Sequence, residues 1–245
     1  MKDKTVLITG ATNGIGKAAA LEISKQGATL VIIGRDQTKT ETVVNELRST
    51  SGNNNVDYLL ADLSSQASIR KLADDFKAKY SKLEVLINNA GGVFDKRQTT
   101  VDGLEYTFAF NHLAYFLLTH LLLDVLKASA PSRIINVSSS AEGFGKIDFD
   151  DLQSEKKYSG FPVYSTSKLA NVMFTYELAK RLQGTGVTAN ALHPGRVKTG
   201  FGDNSQTPMM RLLMAAIKNL GALTPEQGAD TVVYLATSPE VETIT

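Results

Sequence analysis

Short, continuously apolar runs alternate with helix-period runs along almost the whole chain, and this alternation restricts the fold more than any other feature. Strands are expected at Thr5–Thr9, Thr29–Ile33, Val56–Ala61, Val85–Asn88, Arg133–Ser138 and Val187–Leu192. Helices are expected between them at Gly16–Gln26, Thr38–Arg48, Ile69–Lys79, Leu104–Lys127 and Tyr164–Leu182. A strand with one wet face would alternate apolar and polar residues. Val6-Leu7-Ile8 and Leu30-Val31-Ile32-Ile33 do not, so both of their faces must be covered. Repeated strand–helix units with right-handed crossovers then give an α/β fold, a doubly wound parallel sheet. No linker or repeat breaks the 245 residues, so residues 1–245 read as a single domain.

Composition removes several function classes. The formal net charge is +1, which argues against a nucleic-acid partner. The absence of cysteine excludes disulfides and thiolate metal sites. His112, His120 and His193 lack any close ligand spacing, so no bound metal is expected. The strand beginning at Lys4 leaves no room for a cleavable leader. Tyr115–Leu126 is too short and polar to span a bilayer and reads as a core helix. The expectation is a soluble, cytoplasmic protein without a membrane span.

The first strand runs into Thr9-Gly10-Ala11-Thr12-Asn13-Gly14-Ile15-Gly16, directly before a helix. Glycines let the backbone turn tightly and approach a pyrophosphate, while the helix N-terminus offers free N–H groups. A glycine-rich turn without a ligand is the competing reading. The second strand ends at Gly34-Arg35-Asp36. An arginine there would pair with a 2′-phosphate, favouring NADP(H) over NAD(H). Asp36 could serve as an NAD-type carboxylate, but its place before a helical run suits an N-cap.

Tyr164 and Lys168 stand four apart, which puts them on one helical face. A nearby ammonium would favour the phenolate and lower the tyrosine pKa toward neutrality. Ser138-Ser139-Ser140 close an apolar strand at its carboxyl end, where a hydroxyl could bind a reacting oxygen or simply cap a turn. Asn88-Asn89-Ala90-Gly91 close another strand, as a cofactor wall or a plain turn. Asn111 lies in a long apolar helix and needs a partner, catalytic or structural.

Taken together, these residues resemble the short-chain dehydrogenase/reductase family over about residues 4–237, in the family's motif order. The closest resemblance is to its retinol-dehydrogenase-like group, carried by Asn111–Leu123, Asp151–Tyr158 and Tyr164–Asn171. It implies a Rossmann-type fold and an NADP(H)-dependent oxidoreductase interconverting a carbonyl and an alcohol. It also implies a catalytic tetrad of Asn111, Ser139, Tyr164 and Lys168. Implied cofactor contacts come from Gly10, Thr12, Asn13, Gly14, Ile15, Gly16, Arg35, Asp62, Leu63, Asn89, Ala90, Gly91, Tyr164, Lys168, Pro194, Gly195, Val197 and Thr199. The implied partner is a small carbonyl or alcohol, lipophilic if Met209–Leu220 forms an apolar lid. Family members pair through the helices holding Asn111 and Tyr164, which implies a homo-oligomer. The competing class is a non-catalytic NADP-binding sensor or scaffold, which would leave the tetrad without a purpose. An epimerase or dehydratase is a third reading.

Overall fold

A computed structural model of the protein describes residues 1–197 and 222–245. The strands β1 (Thr5–Thr9), β2 (Thr29–Gly34), β3 (Val56–Leu60), β4 (Val85–Asn88), β5 (Ser132–Val137) and β6 (Val187–Leu192) form one six-stranded sheet. Its order is β3-β2-β1-β4-β5-β6, and all pairs are parallel. This is the expected doubly wound, Rossmann-like arrangement. The chain winds outward from β1 to β3, then returns to place β4 on the other side of β1. Ligands bind in such sheets at that reversal, outside the strand carboxyl ends.

The strand side chains supply two cores. Val6, Ile8 and Ile32 face one side and pack with α1 (Gly14–Lys25), α2 (Gln37–Ser51) and the last long helix, α7 (Pro225–Thr237). Leu7, Val31 and Leu86 face the other. They pack with α3 (Gln66–Lys79), α5 (Ala114–Ala128) and α6 (Gly160–Arg181). Alternation of direction along each strand is why the runs are continuously apolar.

Several boundaries differ from expectation. Helix α6 starts one turn earlier, so Tyr164 sits inside it rather than opening it. Pro162 is tolerated because the first turn of a helix lacks N–H partners in any case. The long apolar helix is interrupted. A short α4 (Tyr106–Phe108) passes through a π turn (Ala109–Leu113) into α5. The whole helical run, Tyr106–Ala128, is 23 residues long and is apolar enough by length and composition to cross a bilayer, contrary to the shorter expected stretch. Its inner residues Leu118, Leu122 and Leu126 are buried in the core. The helix α7 was not anticipated. Its signal was present in Thr224-Pro225-Glu226-Gln227, a capping box with proline at the first helical position.

Candidate active site

The glycine turn leaves β1 in a left-handed conformation, with φ of +67° at Gly10 and +53° at Gly14. A Cβ on Gly10 would stand 2.7 Å from Ala90 Cα, and one on Gly16 would stand 2.4 Å from Asn89 Nδ2 and the Gly10 carbonyl. The turn therefore lies directly on the end of β4. Asn89 staples the two segments, donating from Nδ2 to the carbonyls of Thr9 (2.9 Å) and Gly10 (3.1 Å). The Thr9 hydroxyl accepts from the backbone N–H of Asn89 and of Ala90. The Asn89 side-chain amide thus shapes the turn.

At the start of α1, Asn13 makes no side-chain cap and the first turn carries no acidic residue. Its free N–H groups and positive dipole end suit an anion. Thr12, Asn13 and Ile15 are exposed or half-buried at this point. The residues fit a pyrophosphate: a Cβ-free cradle below, unpaired donors above.

Arg35 follows β2, is exposed, and makes no hydrogen bond or ion pair among the described residues. Asp36 is the N-cap of α2, accepting from the Lys39 N–H at 2.7 Å, as expected. Asp62 follows β3 and accepts from the backbone and hydroxyl of Ser64. The Leu63 side chain is buried in the core, so only its backbone is open to a ligand. Pro194, Gly195 and Val197 follow β6. A Cβ on Gly228 would meet Val197 at 2.5 Å and Ile15 at 3.4 Å, so Val197 is brought beside the glycine turn. Thr199 and Met209–Leu220 lie outside the described residues.

The four tetrad candidates converge on β4, β5 and α6. Ser139 follows β5, caps the short 3-10 helix Ser140–Phe144, and hydrogen-bonds the Tyr164 hydroxyl. It thereby fills the capping role considered for it, with its hydroxyl also beside that of Tyr164. Tyr164 packs with Val93 and Ala141. Burial pushes its pKa up to about 12, the Ser139 hydrogen bond acting in the opposite direction. Lys168 is 3% exposed and donates to the Val137 carbonyl at 2.8 Å, with Nζ 5.9 Å from the Tyr164 ring centroid. Burial lowers its pKa to about 7. The expected lowering of the tyrosine pKa by an ammonium is therefore not found in the protein alone. Desolvation governs both groups and favours both neutral forms.

Asn111 sits in the π turn, fully buried. Its Oδ1 accepts from the Gly92 N–H (2.9 Å), and its Nδ2 donates to the Gly92 carbonyl and to Ser167 Oγ. A Cβ on Gly91 would stand 3.3 Å from Lys168 Nζ and 3.4 Å from Asn111 Oδ1. Gly91 thus permits the lysine and the amide to approach the loop after β4. Residues that the sequence reading missed include Thr9, Tyr115 (whose hydroxyl donates to the Ala90 carbonyl at 2.8 Å), Ser167 and Asn171. For Thr9, the signal was a threonine ending β1, immediately before the glycines.

Fold and site define a class. Residues 4–209 match the short chain dehydrogenase family; the chain belongs to that family and is an oxidoreductase. Over 99% of its length it is 44% identical to retinol dehydrogenase 14 of Mus musculus, covering 76% of that protein. It is 46% identical over 98% of its length to retinol dehydrogenase 12 of Homo sapiens, covering 75%. Among solved structures it resembles the RhlG/NADP active-site complex of Pseudomonas aeruginosa, with TM-score 0.79 and 27% identity, over 100% of this chain and 93% of that one. It also resembles an uncharacterised protein from Mycobacterium paratuberculosis, with TM-score 0.77 and 35% identity, over 96% and 77%.

Proposed function

We propose that the protein reduces a carbonyl to an alcohol, reversibly, with NADPH as cofactor. The observation that carries this reading is the Tyr164 hydroxyl held by Ser139 beside buried Lys168. NADPH, when bound, supplies the hydride. The glycine turn and the start of α1 would hold its pyrophosphate, and Arg35 its 2′-phosphate. Tyr164 donates the proton to the substrate oxygen. With a pKa of about 12 it is protonated at neutral pH, the form a donor needs. Ser139 hydrogen-bonds the same oxygen as charge develops on it. Lys168, its pKa lowered to about 7, holds or releases a proton at the working pH and so can supply the proton that restores the Tyr164 phenol after transfer. Asn111 keeps the loop after β4 in place through Gly92.

A lipophilic substrate, retinoid-, steroid- or aldehyde-like, is supported by the apolar neighbours Val93 and Ala141. It is also supported by the exposed Phe144–Phe161 pair, whose ring centroids are 5.9 Å apart, and by the names of the relatives. The same reading takes the enzyme as cytoplasmic and without a nucleic-acid partner, with Tyr106–Ala128 serving as a core helix through buried Leu118, Leu122 and Leu126 rather than as a bilayer span. It also pairs copies through α5 and α6, where Phe116, Met173 and Tyr176 are exposed. The test is NADPH oxidation against a panel of retinal, steroid ketones and alkyl aldehydes, repeated with NADH and with Tyr164→Phe. Turnover with NADPH that is lost in Tyr164→Phe is expected. A variant that still reduces every active carbonyl would sink the assignment. Cofactor binding without turnover of any compound would favour a sensor.

A further inference from the structure

We propose that Asn171 and His112 are positioning residues that clamp the main-chain carbonyl of Asn111 and so hold the π turn that presents its side chain to Gly92. The inference rests on the functional reading of the Asn111 site above. It starts from the hydrogen bonds on the side of Asn111 away from Gly92. Asn171 Nδ2 donates to the Asn111 carbonyl at 2.9 Å, and Asn171 Oδ1 lies 2.9 Å from His112 Nδ1.

The donor order is fixed by elimination. A carbonyl only accepts, so the Asn171 amide must present its NH₂ to Asn111 and its oxygen to His112. His112 must then carry its proton on Nδ1. Burial, and secondarily Asn171 and the Lys168 charge, act on the imidazole with a net lowering of its pKa, so the ring is neutral and holds that single Nδ1–H form. Phe108 and Phe174 flank the ring, with centroids 5.1 and 6.2 Å away.

The need for such a clamp comes from the turn itself. The N–H of Ala114 reaches back five residues to the Ala109 carbonyl. A turn widened in this way spreads its carbonyls and loses helical hydrogen bonding, so it persists where side chains supply partners. Asn171 is fully buried in α6, one turn beyond Lys168. It is held in place from below: Thr175 Oγ1 donates to its carbonyl (2.7 Å) and accepts from Asn136 Nδ2 (2.9 Å) on β5. The clamp is therefore anchored to the sheet, and it ties Asn111 to the helix that carries Tyr164 and Lys168. Asn111 is fixed on both sides, by Gly92 at its amide and by Asn171 at its backbone.

The test uses the full chain. Asn171→Leu keeps volume and removes the donor, Asn171→Asp keeps shape and removes the donor, and His112→Phe keeps the ring and removes its N–H. Turnover is read with NADPH and all-trans-retinal, NADPH affinity by fluorescence, and the turn by amide hydrogen exchange at residues 109–115. Both Asn171 variants should lose about tenfold in kcat and exchange about tenfold faster at 109–115, with NADPH affinity changed less than about threefold. His112→Phe should move both readouts the same way, less far. Imidazole ¹⁵N spectra of the wild type should show His112 protonated at Nδ1. An Nε2–H form would overturn the clamp, as would wild-type exchange in Asn171→Leu, and neither depends on turnover. A wild type inert toward every carbonyl would instead refute the proposed function and leave the exchange and tautomer results to decide the clamp.

Discussion

Replacing Lys168 with methionine should change stability in opposite directions at low and high pH. Lys168 is buried, with its pKa lowered from 10.5 to about 7. At about 1.36 kcal/mol per pH unit, the folded protein disfavours the ammonium by up to about 5 kcal/mol relative to the unfolded chain. The sign follows from proton binding. Between about pH 7 and 10 the unfolded chain carries the proton and the folded one does not, so stability rises with pH across that window. Below about pH 7 both states carry the proton and the full penalty is present. Methionine fills a similar volume without a charge, but it leaves the Val137 carbonyl without its 2.8 Å donor, at a cost of about 1–3 kcal/mol. Lys168→Met should thus be more stable than wild type at pH 6, by about 2–4 kcal/mol. Near pH 10 it should be less stable by about 1–3 kcal/mol. Urea unfolding of both proteins from pH 6 to 10 measures the difference. Subtraction cancels tyrosines such as Tyr58 and Tyr80, whose hydrogen-bond partners Glu41 and Asp57 are untouched by the substitution. A difference independent of pH would refute the claim that burial of an ionisable lysine governs this part of the site.

Three further outcomes are expected. Arg35→Glu places a carboxylate where a 2′-phosphate would lie; NADPH affinity should fall roughly 10- to 100-fold while NADH affinity holds or improves, as measured by fluorescence titration of each nucleotide. Gly16→Ala puts a Cβ 2.4 Å from the Gly10 carbonyl and Asn89 Nδ2, so the turn must shift; loss of NADPH binding in a protein with a wild-type circular dichroism spectrum is expected. Thr224→Ala removes the cap of α7, whose hydroxyl accepts from the Gln227 N–H at 3.3 Å; urea unfolding should show a loss of about 1 kcal/mol with little change in kcat.

The strands were the most legible part of the chain, because a sheet covered on both faces demands unbroken apolar runs. Helix boundaries were less so. Phe161-Pro162-Val163 hides the first turn of α6, since proline reads as a breaker although it is harmless there. The tetrad residues were readable as types in an order, but their electrostatics were not. Whether Lys168 acts on Tyr164 or on the carbonyl of Val137 depends on burial and on a 5.9 Å spacing that only the packed chain sets. The π turn had no local signature. It depends on Asn171, 60 residues from Asn111 along the chain. Asp36 was legible because an N-cap is a local device, satisfied by the Lys39 N–H three residues on. The stapling role of Asn89 was not legible because its partners, Thr9 and Gly10, come from the other side of the winding reversal.

That staple between Thr9 and Asn89, 80 residues apart in the chain, also sets an order of assembly. The glycine turn is complete in sequence well before residues 89 and 90 are made, yet its floor is Ala90 and its brace is Asn89. A nascent chain that has made only β1 to β3 holds the motif without the surface it rests on. The proposed nucleotide grip therefore forms only with β4, and an excised N-terminal segment ending before residue 85 would carry the glycine fingerprint without the surface that shapes it.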